Sequence, residues 1–123
     1  MPDALKPVGW IASSKKELLA LPHEAQGEIG HALYQAQLGG KHVDAKPLHG
    51  FGGAGVLEVV ASHDGDTFRA VYTVRFAEIV YVLHCFQKKS KSGVATPKQV
   101  MDLIRARLNA AEMEYMQWKK NQK

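Results

Sequence analysis

Between Val56 and Phe86 three strand-like runs follow one another so closely that only one kind of sheet can join them. Val56–Ser62 (VLEVVAS), Thr67–Val74 (TFRAVYTV) and Ile79–Phe86 (IVYVLHCF) are rich in β-branched and aromatic residues. Each is separated from the next by four residues. A parallel crossover needs about a dozen residues or more, so the runs must pair antiparallel, as a β-meander. The first connection, His63-Asp64-Gly65-Asp66, carries the Asp-Gly pair that a tight hairpin turn favours.

Helical patterns flank this meander. Lys6–Ala12 (KPVGWIA) reads as a first strand, and Ser13 or Ser14 can cap a helix, with Ser14 and Glu17 spaced as a capping box. Pro22 interrupts that helix and opens a second, whose Ile29, Ala32, Leu33 and Ala36 form one apolar stripe and which Gly39-Gly40 ends. Lys41–Gly55, glycine-rich and holding Pro47, reads as a loop. Thr96-Pro97 starts a last helix, with Val100, Leu103, Ile104, Leu108 and Ala111 at helical spacing to about Met116. Residues 116–123 read as a frayed basic tail. The order β-α-α-β-β-β-α predicts an α+β domain, an antiparallel meander with two N-terminal helices and a C-terminal helix packed on it. With 123 residues, 46% of them hydrophobic, the chain has room for one core and one domain over 1–123.

Several function classes lose support. No stretch approaches the roughly 18 apolar residues that span a bilayer, and Lys6-Pro7 interrupt any leader-like segment, so a cytoplasmic protein with no membrane contact is expected. Cys85 is the single cysteine, and the six histidines form no HExxH, so neither a metal nor a cofactor is expected. Gly50–Gly55 matches G-x-G-x-x-G, but it lies between a helix and a strand, where a dinucleotide fingerprint cannot work. The net charge of +4 favours a polyanionic partner.

Charges inside the strands point to chemistry. Glu58 shares a strand face with Val56 and Val60, and Arg69 shares one with Val71 and Thr73. A charge among apolar neighbours must be paired or face a wet groove. Two readings follow: a structural Glu58–Arg69 ion pair, or a carboxylate and a cation facing a phosphodiester. The third strand runs into Lys88, Lys89 and Lys91, which form either a solvated loop or the cationic side of such a pocket. Cleaving RNA through its 2′-hydroxyl needs a base, cations for the phosphorane and an acid for the leaving oxygen. Glu58, Arg69 and Lys88/Lys89 suit these roles in that order. His84 is chemically apt as an acid, or is a hydrogen-bonded histidine of a packed strand. Cys85 faces the opposite way, as a small buried hydrophobe. Lys41 and Lys46, with His42 and His49 nearby, place the loop to track RNA backbone, or to serve as a plain connector.

These residues resemble a known family. Lys46-Pro47-Leu48-His49-Gly50, Leu57-Glu58-Val59, Phe68-Arg69-Ala70-Val71-Tyr72, Val82–Lys89 (VLHCFQKK) and Thr96-Pro97 look like the phage-derived HigB-like branch of the RelE toxin superfamily. The likeness runs from about Lys46 to Tyr115, and L-H-x-F-x-K-K followed by T-P is its most specific part. It implies a RelE-like fold and a type II toxin, a ribosome-dependent mRNA endonuclease that needs no metal. It also implies mRNA, the ribosome and a cognate antitoxin with a helix-turn-helix domain as partners, the last in a hetero-oligomer. Carried over, it points to Glu58, Arg69, Lys88 and Lys89 as the active site. Val60 stands where members of this branch often have an arginine, and the aromatic residue that some relatives use is not evident. That keeps open an inactive homologue that binds a DNA-binding partner or RNA.

Overall fold

The computed structural model describes residues 5–52, 55–88 and 96–122. Its elements are β1 (Val8–Trp10), α1 (Ser14–Leu19), α2 (His23–Gln37), β2 (Ala45–Pro47), β3 (Val56–His63), β4 (Asp66–Thr73), β5 (Val80–Lys88) and α3 (Lys98–Asn121). The three expected runs are β3, β4 and β5, the adjacent antiparallel strands of a five-stranded sheet ordered β1-β5-β4-β3-β2. The hairpin closes at His63 opposite Asp66, with Asp64 at φ 52° and Gly65 at φ 82°. Two positive φ values give the backbone the twist that flanking strands need.

Two strands complete the sheet. β1 pairs parallel with β5, Gly9 lying opposite Tyr81. The expected loop over Lys41–Gly55 contains β2, which pairs antiparallel with β3. Three residues ending in a proline carry no readable alternation, and Pro47 is tolerable because β2 is an edge strand.

Alternation along the strands separates two cores. Leu57, Val59, Ala61, Phe68, Ala70, Tyr72 and Cys85 face α2, whose Ile29, Ala32, Leu33 and Ala36 are all buried, as its stripe predicts. Val56, Val71, Tyr81 and Leu83 face α3 through Ile104, Leu108 and Ala111. The helices therefore cover both sheet faces. A β-bulge between Val71 and Tyr72, opposite Leu83 in β5, resets the pairing.

Helix ends differ from expectation in three places. Ser13, one of the two serines expected to cap α1, is its N-cap but makes no side-chain cap bond, so the helix does not start on the expected Ser14–Glu17 capping box; the Ser13 hydroxyl donates to Glu17 Oε2 at 2.8 Å. Pro97 rather than Thr96 is the α3 N-cap. The expected frayed tail is helix to Asn121. Tyr115 and Trp118 continue the inward stripe, and Glu78 accepts hydrogen bonds from Tyr115 and, at 3.0 Å, from Lys119. α2 stops where Gly40 N–H reaches the Gln35 carbonyl and Gly39 N–H that of Ala36.

Candidate active site

α3 covers only part of its sheet face, and charged side chains occupy the remainder. In the β3–β4 register Val60 faces Arg69 and Glu58 faces Val71, so Glu58 and Arg69 are diagonal neighbours on one face. Arg69 Nη1 donates to Glu58 Oε1 at 2.7 Å, and both side chains are about 15% exposed. Across the next pair Arg69 faces Phe86 and Thr67 faces Lys88. Glu58, Arg69 and Lys88 thus form a diagonal across three strands. Lys88 is only 8% exposed. Burial lowers its amine pKa first, the Arg69 charge lowers it further, and Glu58 works against both.

The ion pair leaves functional atoms over. Glu58 Oε2 and Arg69 Nε are buried and have no hydrogen-bond partner among the described residues. Leaving such atoms unmet costs roughly 1–3 kcal/mol each, which a ligand offering a donor and an acceptor would recover. Glu58, Arg69 and Lys88 border a cavity of about 250 Å³, whose remaining walls among the described residues are Leu48 and His49 after β2, and Thr96 and Met101 at the start of α3.

The loop wall is held at both sides of His49. Leu48 N–H donates to the Val56 carbonyl at 2.9 Å. Arg105 of α3 donates to the Gly50 carbonyl at 3.3 Å and lies 4.9 Å over the Phe51 ring.

A family model for phage-derived Gp49-like proteins matches residues 16–109, well over half of the chain. The chain belongs to the phage-derived Gp49-like family. That family is RelE/toxin-like. No curated protein matches the chain. In this Gp49-like chain the matched span holds the whole diagonal, His49 and the cavity walls.

Of the other residues expected to act, His84 lies elsewhere on the sheet face. Its Nδ1 is 2.9 Å from Glu17 Oε1, its ring stacks on Phe86 at 4.7 Å, and it does not line the cavity. Burial acts to raise the Glu17 carboxyl, but hydrogen bonds from Arg107, the Cys85 N–H, His84 and Ser13 hold it at about 2. This second cluster joins α1, β5 and α3. Arg107 carried a signal in the sequence, a charge midway between the inward-facing Ile104 and Ala111, that went unread. His49 stood in the sequence only as part of a loop able to track RNA backbone, and that loop has no period to place its side chain.

Lys46 faces Glu58 in the β2–β3 register and, with Asp44, Glu28, Val60 and Ser62, borders a second depression of about 340 Å³ next to Glu58. Lys41 is exposed and lines neither cavity. Lys89 and Lys91 lie outside the described residues. Cys85 is buried in the α2-side core, where burial pushes its thiol up to about 12. Among the described residues no three of His, Cys, Asp or Glu converge as a metal-holding group, and no helix is long and apolar enough to cross a membrane.

Proposed function

We propose that this Gp49-like chain is a HigB-like toxin of a type II toxin–antitoxin pair, a cytoplasmic, ribosome-dependent mRNA endonuclease. The observation that carries the reading is that Glu58, Arg69 and buried Lys88 border one cavity, while Glu58 Oε2 and Arg69 Nε have no hydrogen-bond partner among the described residues. A ribose 2′-hydroxyl donates to a free carboxylate oxygen, and a phosphate oxygen accepts from a free guanidinium N–H. Those are the two groups adjacent in an RNA backbone.

In this reading Glu58 takes the 2′-hydroxyl proton as general base, and the resulting alkoxide attacks the neighbouring phosphorus. Arg69 and Lys88 stabilise the charge on the phosphorane, with Lys89 further along the same segment. The reaction calls on no metal. The bond between Arg69 and Glu58 Oε1 orients the carboxylate, so the ion pair supports the chemistry. Lys46, Lys41 and Lys91 would contact flanking phosphates. The ribosome would supply the mRNA geometry, and an antitoxin with a helix-turn-helix domain would silence the protein.

Inducing the chain in a bacterium without its antitoxin tests this. Growth arrest with truncated messages is expected, abolished in Glu58→Gln and Arg69→Ala. Unimpaired growth with the folded parent would favour the second reading, an inactive homologue that only binds; Val60, a neutral residue directly opposite Arg69, is the observation behind that reading.

A further inference from the structure

We propose that His49 is the general acid of this reaction, donating the proton that the 5′-oxygen takes as it leaves. The inference rests on the endonuclease reading and adds to it the one role that reading leaves unfilled.

The chemistry of the cavity narrows the choice. Among the described charged and polar residues that line it, Arg69 carries a guanidinium, a side chain that does not serve as a proton donor to a leaving group. Glu58 begins the reaction as a proton acceptor. Lys88, buried at the β5 end of the diagonal beyond Arg69, is already engaged in this reading as a cation at the phosphorane. Thr96 carries a hydroxyl, a far weaker acid than an imidazolium. Among the described residues, His49 supplies the one imidazole on the cavity wall, and imidazole is the side chain whose ordinary titration range straddles neutrality. His84, on the sheet itself, does not line the cavity, and its Nδ1 lies against Glu17 and Arg107.

Placement supports the same role. Glu58 rises from the sheet floor, whereas His49 belongs to the loop wall, so base and acid approach one cavity from different elements. Displacement at phosphorus needs this, since attacking and leaving oxygens lie on opposite sides. The backbone on either side of His49 is tied down, by Leu48 to β3 and by Gly50 to α3. Its side chain is nonetheless exposed, so it can be reprotonated from solvent. Among the described residues, the charged groups that share its cavity are Glu58 from β3, Arg69 from β4 and Lys88 from β5, and Arg105 from α3 binds the adjacent Gly50 carbonyl.

The step balances. The 2′-oxygen proton passes to Glu58, the O2′–P bond forms, the P–O5′ bond breaks, and the His49 proton passes to O5′. The products are a 2′,3′-cyclic phosphate and a 5′-hydroxyl, and nothing is oxidised or reduced. Exchange with water resets both side chains.

A substrate with sulfur in place of the bridging 5′-oxygen provides the test, because a thiolate leaves without a proton. Cleavage of ribosome-bound mRNA carrying either atom is measured for the parent, His49→Ala, His49→Gln and Arg69→Ala. Both His49 variants should cut the oxygen substrate about 100-fold or more slowly, the usual scale of acid catalysis. They should cut the sulfur substrate at close to the parental rate, with unchanged thermal unfolding. Arg69→Ala should be slow on both. His49 variants that match the parent on oxygen, or are equally slow on both substrates, overturn the assignment. A parent that cuts neither substrate overturns the endonuclease reading itself, and the assignment with it.

Discussion

Nη1 of Arg107 on α3 stands 3.0 Å from each carboxylate oxygen of Glu17 on α1, residues far apart in sequence. The same nitrogen donates to the Leu83 carbonyl at 2.9 Å, and Glu17 Oε1 accepts from Cys85 N–H at 3.1 Å. β1 pairs with β5 only at Val80–Val82. Beyond it, Glu17 and Arg107 supply side-chain partners to the β5 backbone.

Stability should follow the titration of Glu17. Its carboxyl lies at about 2 in the fold against an ordinary 4.5. A depressed carboxyl contributes stability that is complete above its unfolded value and is lost as pH falls through the folded one. The fold should therefore weaken between about pH 4.5 and pH 2. Glu17→Gln should cost on the order of 2 kcal/mol at pH 7 and flatten that decline, as measured by urea unfolding at pH 7 and pH 3.

Gly9 should tolerate no side chain. A Cβ there would lie 2.5 Å from the Tyr81 ring, which is itself fully packed. Gly9→Ala should lower stability by about 1–3 kcal/mol, read as a drop in the thermal midpoint.

Arg105 should matter more for activity than for folding. It is an exposed residue that holds Gly50 and Phe51, and thereby the His49 wall. Arg105→Ala should change stability by less than about 1 kcal/mol. Message cleavage should still fall several-fold, because the loop that positions His49 loses its link to α3.

The sequence made the meander legible because spacing alone forbids other pairings and Asp64-Gly65 names its own turn. The α2 stripe was equally readable. β2 was not, because a three-residue edge strand ending in Pro47 has no period. The end of α3 was misjudged because its lysines mask the continuing inward positions Tyr115 and Trp118. In the candidate site, Glu58 and Arg69 stood out as charges in apolar strands, and Lys88 by following one. The loop wall that brings His49 to them depends on Arg105, a tertiary contact that no local pattern encodes. His84 drew attention through its chemistry, whereas its surroundings are set by Glu17 and Arg107, from elements distant in sequence.

Glu58→Gln should separate chemistry from architecture. Glutamine keeps the shape and can still accept from Arg69, so the fold should persist with a modest loss of stability. Cleavage should drop by roughly 100- to 10,000-fold, since an amide cannot take up the 2′-hydroxyl proton. Circular dichroism alongside a cleavage assay checks both halves.

The most direct measurement is cleavage of a defined mRNA in a reconstituted translation reaction, with the ends mapped for the parent, Glu58→Gln and Arg69→Ala. The parent should cut only ribosome-bound message and leave a cyclic phosphate, with both variants folded and nearly silent. Equal cutting by all three proteins, or none by the folded parent, would contradict the claim that this carboxylate and guanidinium act together on an RNA phosphodiester.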